Sequence, residues 1–368
     1  LSTPRIGLRC DAGPRRGVGH LVRCLALGEE FLARGATVEL FGTVERVGWA
    51  AAQLTARGIP LHPGPDTPRG LVEAARAHRL DAMVLDSYDL DPAGAGALRA
   101  AGVTTLAVVD GDTRGQDADL YLDQNFGADT DTATGPDTSG GTVAGTGTGT
   151  AAGRLLAGTR YALLRDSVIA ARPAAPRMAT AVGRPRVLAF FGGTDAVGAA
   201  PVLTRVLLGT GHPMELTVVV GRPEIEADLE EVTPGRGQTL RPVPPTDALP
   251  ALIGAADLVV SAAGTSTWEL CCLGAPSALV CVVDNQRESY HRVVAHGLAA
   301  GLGELPELAA AGVAGRAARA AAAGTLRGLL TSPRRRAALS ARGWATVDGQ
   351  GRARVADAVL SRTGVLNR

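Results

Sequence analysis

A histidine stands at the mouth of a glycine turn in Gly17-Val18-Gly19-His20-Leu21-Val22-Arg23-Cys24. The turn follows the β-like run from Ile6 to Asp11 and opens an apolar helical pattern from His20 to Ala33, which stops at Gly35. Gly17 and Gly19 let backbone N–H groups approach an anion, and the helix start favours negative charge. An imidazole there is suited to take or give a proton near neutrality, or simply to cap the helix. A dinucleotide fingerprint needs a small residue where Val22 stands, and the loop from Asp11 is long for one. A nicotinamide or flavin site is therefore disfavoured.

Further constellations end other β-like runs. Phe191-Gly192-Gly193-Thr194-Asp195 is either a phosphate-cradling loop or a plain βα turn with Asp195 near the helix N-cap. Ser261 to Leu270 runs through Gly264, Thr265, Ser266 and Thr267, whose hydroxyl and N–H groups suit a diphosphate. Glu269 follows, placed to accept from ribose hydroxyls or to complement the helix dipole. Asp284-Asn285-Gln286 can read sugar hydroxyls or acetamido groups, or form a turn. Leu85-Asp86-Ser87-Tyr88 puts a tyrosine at another strand end. Asp129-Thr130-Asp131 matches an acidic metal-binding triplet only superficially, inside a low-complexity stretch.

The elements that must position these residues alternate. Strand-like runs cover Thr37 to Phe41, Ala82 to Asp86 and Thr105 to Asp110, with a helix over Ala93 to Ala101. A second series runs through Arg186 to Phe191, Leu216 to Val220, Asp257 to Ser261 and Ala278 to Val283. Ser332 to Leu360 reads as helical, with Pro333 early in it. Alternation of strand and helix predicts βαβ units and parallel sheets. The expected fold class is α/β, with two doubly wound Rossmann-type domains facing across a cleft. Such sheets bind ligands at their strands' carboxyl ends. The expected division is 1–170, a Pro/Ala/Arg-rich linker over 171–185, and 186–368. Residues 127–153, nearly all Gly, Thr, Ala, Ser, Asp and Pro, read as a disordered insertion.

Composition narrows the function classes. The chain has 368 residues and a net charge of +1, and all 37 of its Lys+Arg are arginine. Without a basic stripe interleaved with aromatics, nucleic acid is an unexpected partner. Five cysteines, Cys10, Cys24, Cys271, Cys272 and Cys281, sit in apolar runs without a CxxC pair, which predicts buried free thiols and no structural zinc. Neither a leader nor a bilayer-length apolar run is read, so the expected location is the cytoplasm.

Taken in order, GxGHxxRC, DSY, GGTD, GTSTWE with Gly274-Ala275-Pro276, and NQ resemble the PseG/SpsG family. Leu106 to Asp110, Asp119 to Asn125, Tyr161 to Arg165 and Val347 to Gly351 share that resemblance, and residues 127–153 depart from it. The family includes the UDP-sugar hydrolase of pseudaminic acid synthesis and spore-coat polysaccharide proteins, and is related to MurG-like glycosyltransferases with the GT-B fold. The resemblance implies a GT-B-like chain with His20 as the catalytic residue and Tyr88 and Asn285 beside it in a sugar pocket. It implies substrate contacts from Gly17, Gly19 and Arg23, and from Gly192, Gly193, Thr194 and Asp195. Gly264, Thr265, Ser266 and Thr267 would contact the diphosphate, Glu269 the ribose, and Gln286 the sugar. Ile253 and Ala255 border the stretch where such folds place a uracil. The implied reaction is inverting cleavage of a UDP-sugar's anomeric C–O bond by water, without metal or cofactor; the alternative is transfer to an alcohol or amine.

Overall fold

The structure is a computed structural model describing residues 3–13, 17–45, 48–129, 142–143, 153–180 and 183–364. The chain forms two compact units, Leu1–Asp166 with Gly349–Arg368, and Ser167–Asp348.

In the first unit, β1 (Arg5–Cys10), α1 (Gly19–Ala33), β2 (Thr37–Phe41), α2 (Gly48–Ala56), β3 (Leu61–His62), α3 (Pro68–Ala77), β4 (Ala82–Asp86), α4 (Ala93–Ala100), β5 (Thr104–Val108), β6 (Leu120–Asp123), β7 (Thr142–Val143) and β8 (Gly153–Ala157) follow in order. The sheet order is β3-β2-β1-β4-β5-β6-β8-β7, parallel except for β7. Its strands are apolar on both faces because helices cover both. Along β4, Ala82 and Val84 join the core beneath α1, while Met83 and Leu85 join the core beneath α3 and α4. Of the segment expected to be a disordered insertion, only residues 127–129, 142–143 and 153 are described; β7 pairs antiparallel with β8, and the rest lies outside the described residues.

The second unit contains β9 (Arg186–Phe190), α6 (Ala199–Leu208), β10 (Met214–Val219), α7 (Pro223–Glu230), β11 (Gln238–Val243), α8 (Leu249–Ala255), β12 (Leu258–Ala262), α9 (Ser266–Cys272), β13 (Ser277–Cys281), α10 (Arg287–Ala295), β14 (Ala300–Glu304), α11 (Leu305–Ala309), α12 (Gly312–Thr331) and α13 (Pro333–Thr346). Its sheet, β11-β10-β9-β12-β13-β14, is wholly parallel. Ser332 caps α13 by accepting from Arg335 N, with Pro333 at the first helical position.

Two boundaries differ from the sequence expectation. α5 (Asp166–Ala170) straddles the junction, which falls at 166/167, and the described residues of the expected linker, 171–180 and 183–185, belong to the second unit. Arg172 donates to the carbonyls of Cys272, Trp344 and Val347 and stacks over the Trp344 ring at 4.5 Å. Arg177 donates to the carbonyls of Ile253 and Ala256. The chain end also departs from the expected 186–368 domain. The helical tail breaks at 347–350, and α14 (Gly351–Leu360) belongs to the first unit. Val355, Ala356 and Val359 pack into the same core as Leu21 and Leu25 of α1. Arg352 bridges Glu29 at 3.0 Å, Glu30 at 3.2 Å, and Asp166. A Cβ on Gly351 would lie 2.3 Å from the Ala162 carbonyl oxygen, so the approach of α14 requires glycine there. An apolar stripe shows that α14 has a buried face; only tertiary packing selects the sheet it covers.

The described cysteines are free and buried. Among the described residues, no helix is long and apolar enough to cross a membrane.

Candidate active site

The first unit brings one constellation together at the carboxyl ends of β1, β4 and β5, which are adjacent in its sheet. The loop after β1 closes by two bonds, Gly13 N to Gly17 O and Gly17 N to Gly13 O, with Gly17 in the left-handed region at φ 76°. α1 then starts without a side-chain cap, so His20 is not a capping residue. Its ring faces Asp86, the last residue of β4: His20 Nδ1 lies 2.7 Å from Asp86 Oδ1. An unprotonated Nδ1 would set its lone pair against that carboxylate oxygen. Arg23 NH2 also lies near Nδ1, at 3.0 Å; the carboxylate contact is the shorter of the two, so Nδ1 is assigned the hydrogen and Nε2 is the basic nitrogen. Nε2 has no hydrogen-bond partner among the described residues.

Arg23, one helical turn after His20, holds Asp86 by both nitrogens, Nε to Oδ2 at 2.5 Å and NH2 to Oδ1 at 2.6 Å. Burial alone would raise the Asp86 pKa, but the Arg23 and His20 charges override it and hold the carboxyl well below the usual range. The Arg23 guanidinium is pushed the other way: burial opposes its charge, and Asp86 more than restores it. Arg23 is thus buried and occupied by Asp86. Two of its nitrogens orient the Asp86 carboxylate, a role that the expected substrate contact did not include.

Tyr88 meets His20 edge to face, with ring centroids 5.1 Å apart and planes at 79°. Its hydroxyl donates to Asp110 Oδ2, while Asn125 Nδ2 donates to Oδ1 of the same carboxylate at 3.0 Å. The Arg114 guanidinium covers the Tyr88 ring at 4.6 Å. Burial and the Asp110 charge push the phenol up to about 12, so it stays protonated and can only be a neutral donor or acceptor. Sequence reading gave a role in this group to Tyr88 alone; Asp86, Asp110 and Asn125 entered it only inside motif stretches, and Arg114 was passed over. Asp86 carried a usable signal, a carboxylate ending a buried strand.

The second constellation lies in the second unit, where β9, β12 and β13 are neighbours. After β9, Gly192 is left-handed at φ 81° and Asp195 at φ 43°. Asp195 accepts from Ala199 N at 2.8 Å and from Ala200 N at 2.9 Å. Its carboxylate thus supports the loop by holding the start of α6. Burial raises its pKa against those same bonds. Thr194 is buried, and the Gly193 carbonyl packs where a Cβ on Gly221 would be, 2.5 Å away.

After β12, Thr267 N bonds to Gly264 O at 2.9 Å and Trp268 N to Thr265 O at 3.2 Å, closing the turn into α9. Thr265 and Ser266 are half-buried, whereas Thr267 and Glu269 are buried. The Gln286 amide lies over Gly264, 3.3 Å from where a Cβ would stand, and its Oε1 accepts from Val282 N at 3.2 Å. Asn285 beside it is exposed. Of the residues expected near the base, Ile253 is fully buried on α8 and its carbonyl is taken by Arg177. The Asp129–Asp131 triplet lies partly outside the described residues.

No family model matches the sequence, and no curated protein matches it. Solved structures do share the fold. MurG of Acinetobacter baumannii is similar over 97% of this chain and 99% of its own, with a TM-score of 0.65 and 15% identity. The fold is GT-B. UDP-GlcNAc 2-epimerase of Neisseria meningitidis bound to UDP-GlcNAc shares this GT-B arrangement over 97% of this chain and all of its own, with a TM-score of 0.60 and 11% identity. CalG4, the calicheamicin glycosyltransferase, covers 100% of both chains, with a TM-score of 0.59 and 13% identity. In this GT-B chain both constellations stand at the carboxyl ends of parallel strands, where such sheets present ligand-binding loops.

Proposed function

We propose that this protein is a nucleotide-sugar hydrolase. It breaks the anomeric C–O bond of a UDP-activated sugar with inversion and releases UDP and the free sugar. The observation that carries this reading is the His20–Asp86 pair at 2.7 Å, with Nε2 free to act as a base. Support comes from the motif order that resembles the PseG/SpsG family, and from fold relatives whose structures hold UDP or UDP-GlcNAc.

In this reading Nε2 of neutral His20 takes a proton from water as its oxygen attacks the anomeric carbon. The C–O bond opposite breaks, and its electron pair leaves on the phosphate oxygen of UDP. Asp86 fixes the tautomer and stabilises the imidazolium that forms. The second unit's loops at Gly192–Thr194 and Gly264–Ser266 supply N–H and hydroxyl donors to the diphosphate, which leaves as a charged group and needs dipoles more than a proton. Tyr88 and Asn285 contact the sugar, and Glu269 the ribose.

The second reading replaces water by an alcohol or amine acceptor, as in an inverting glycosyltransferase. It is favoured by the fold shared with MurG and with CalG4. One experiment separates the two. The full chain is incubated with a panel of UDP-sugars, including acetamido-trideoxy sugars, without acceptor, and UDP release and the sugar's anomeric form are followed by NMR. His20-dependent release with inversion supports hydrolysis. Protein that binds UDP yet releases none across the panel overturns hydrolysis in favour of transfer.

A further inference from the structure

Away from both constellations, Glu39, His62 and His78 converge on one point of the first unit. Glu39 lies on β2, His62 on the edge strand β3, and His78 at the end of α3. Glu39 Oε2 is 2.5 Å from His78 Nδ1 and 2.8 Å from His62 Nε2, and the donor atoms all lie within 4.8 Å of one another. His62 Nε2 is inaccessible to solvent, yet it is not aligned to hydrogen-bond to Oε2 or to any other group. A buried ring nitrogen whose one close neighbour, Glu39 Oε2, is out of hydrogen-bond alignment is costly unless something absent from the protein's own atoms satisfies it.

We infer that Glu39, His62 and His78 form a binding site for a divalent transition-metal ion of the zinc class, held by two imidazoles and one carboxylate oxygen. Imidazole nitrogen with a single carboxylate suits Zn²⁺ and its neighbours better than Mg²⁺ or Ca²⁺, which prefer all-oxygen shells. The surroundings pre-set the donors. Arg5 NH2 occupies Glu39 Oε1 at 2.8 Å, which presents Oε2 as the single ligand oxygen. Arg5 Nε also pins the His78 carbonyl at 2.7 Å. The Phe41 ring stacks on His62 at 5.1 Å and meets His78 edge-on at 5.0 Å, restricting both imidazoles. Tetrahedral zinc with ligand distances of ~2.0–2.2 Å needs its donors about 3.3 Å apart, so Glu39 Oε2 moves off each imidazole nitrogen by less than about 1 Å on binding. The ion would tie the edge strand β3 to β2 and to the end of α3, a structural role independent of the proposed reaction.

The full chain, stripped with a chelator and dialysed, is titrated with Co²⁺ and then with Zn²⁺. One equivalent of four-coordinate Co²⁺ with visible d–d absorption, displaced by Zn²⁺, is expected. His62→Ala and His78→Gln should each weaken binding by at least the ~10–100-fold that loss of an outer-shell partner costs, and His20→Ala should leave it intact. In the unsubstituted protein, Zn²⁺ should protect His62 and His78, but not His212, from carbethoxylation mapped by mass spectrometry. This arm stands even if a variant misfolds. Absence of four-coordinate Co²⁺, binding that survives the His62 and His78 substitutions, or modification of both histidines at saturating Zn²⁺ overturns the site.

Discussion

His20 donates from Nδ1 to Asp86 at 2.7 Å, and Arg23 grips the same carboxylate through two nitrogens. A buried aspartate kept ionised by an arginine thus sets which imidazole nitrogen is basic. His20→Ala should lower the rate of UDP release by ~10²–10⁴-fold with little change in UDP affinity, as expected for loss of a general base. Asp86→Asn should cost a similar factor, because an amide can pair with either tautomer. Steady-state kinetics beside UDP titration calorimetry decide this; UDP release by His20→Ala at the rate of the unsubstituted protein would remove His20 from the chemistry.

The Arg23–Asp86 pair is also a stability element. Removing one member leaves the other charged and buried, so Arg23→Ala should destabilise the first unit by about 3–5 kcal/mol. Urea unfolding followed by circular dichroism gives the value. A cost below about 1 kcal/mol, the size of a surface pair, would contradict the burial described for Asp86.

The depressed Asp86 pKa sets an acid limit. The folded state binds this proton less readily than the unfolded state, whose aspartates titrate near about 3.9. The stabilisation is therefore complete above that pH and is lost progressively as pH falls toward the lower folded value. Unfolding midpoints measured from pH 6 downward should fall more steeply for the unsubstituted protein than for Asp86→Asn. Parallel curves would refute the linkage.

Tyr88 gives an alkaline counterpart. With its phenol pushed up to about 12, the difference in tyrosinate absorbance between the unsubstituted protein and Tyr88→Phe should titrate near that value and not near about 10. The contribution of this group to stability is present below the ordinary tyrosine range and is lost as pH rises through the folded value. Titration of the difference signal near 10 would mean that the Asp110 contact does not form in solution.

In the second unit, Thr265→Val and Ser266→Ala should each weaken UDP binding by about 1.5–3 kcal/mol, the size of a hydrogen bond to a charged group. Asp195→Ala should instead cost ~0.5–2 kcal/mol of stability through the lost α6 cap. Calorimetry with UDP and thermal unfolding on the same three variants separate a ligand role from a structural one. A Thr265 and Ser266 pair indifferent to UDP would move the diphosphate elsewhere.

Much of this was legible in local order. Alternating apolar runs determined the strands, because a strand buried on both faces has to be apolar along its buried length, as Ala82–Leu85 is before the terminal Asp86. Strand-end glycines and hydroxyls marked where ligand loops would lie, and the turn at Gly17–Gly19 placed His20 at one of them. Tertiary structure alone decided what each polar residue faces. Asp86 meets His20 across 66 residues, and whether a strand-end carboxylate orients a base or caps a turn depends on which strands become neighbours. The same holds for Arg23 and Asp195, whose charges turned inward. It holds for α14, whose apolar stripe specifies burial without specifying a sheet, and for Glu39, His62 and His78, which no spacing motif connects. Local sequence sets backbone conformation and burial within a few residues. Contacts between distant charges are settled only when the sheet order brings their strands side by side.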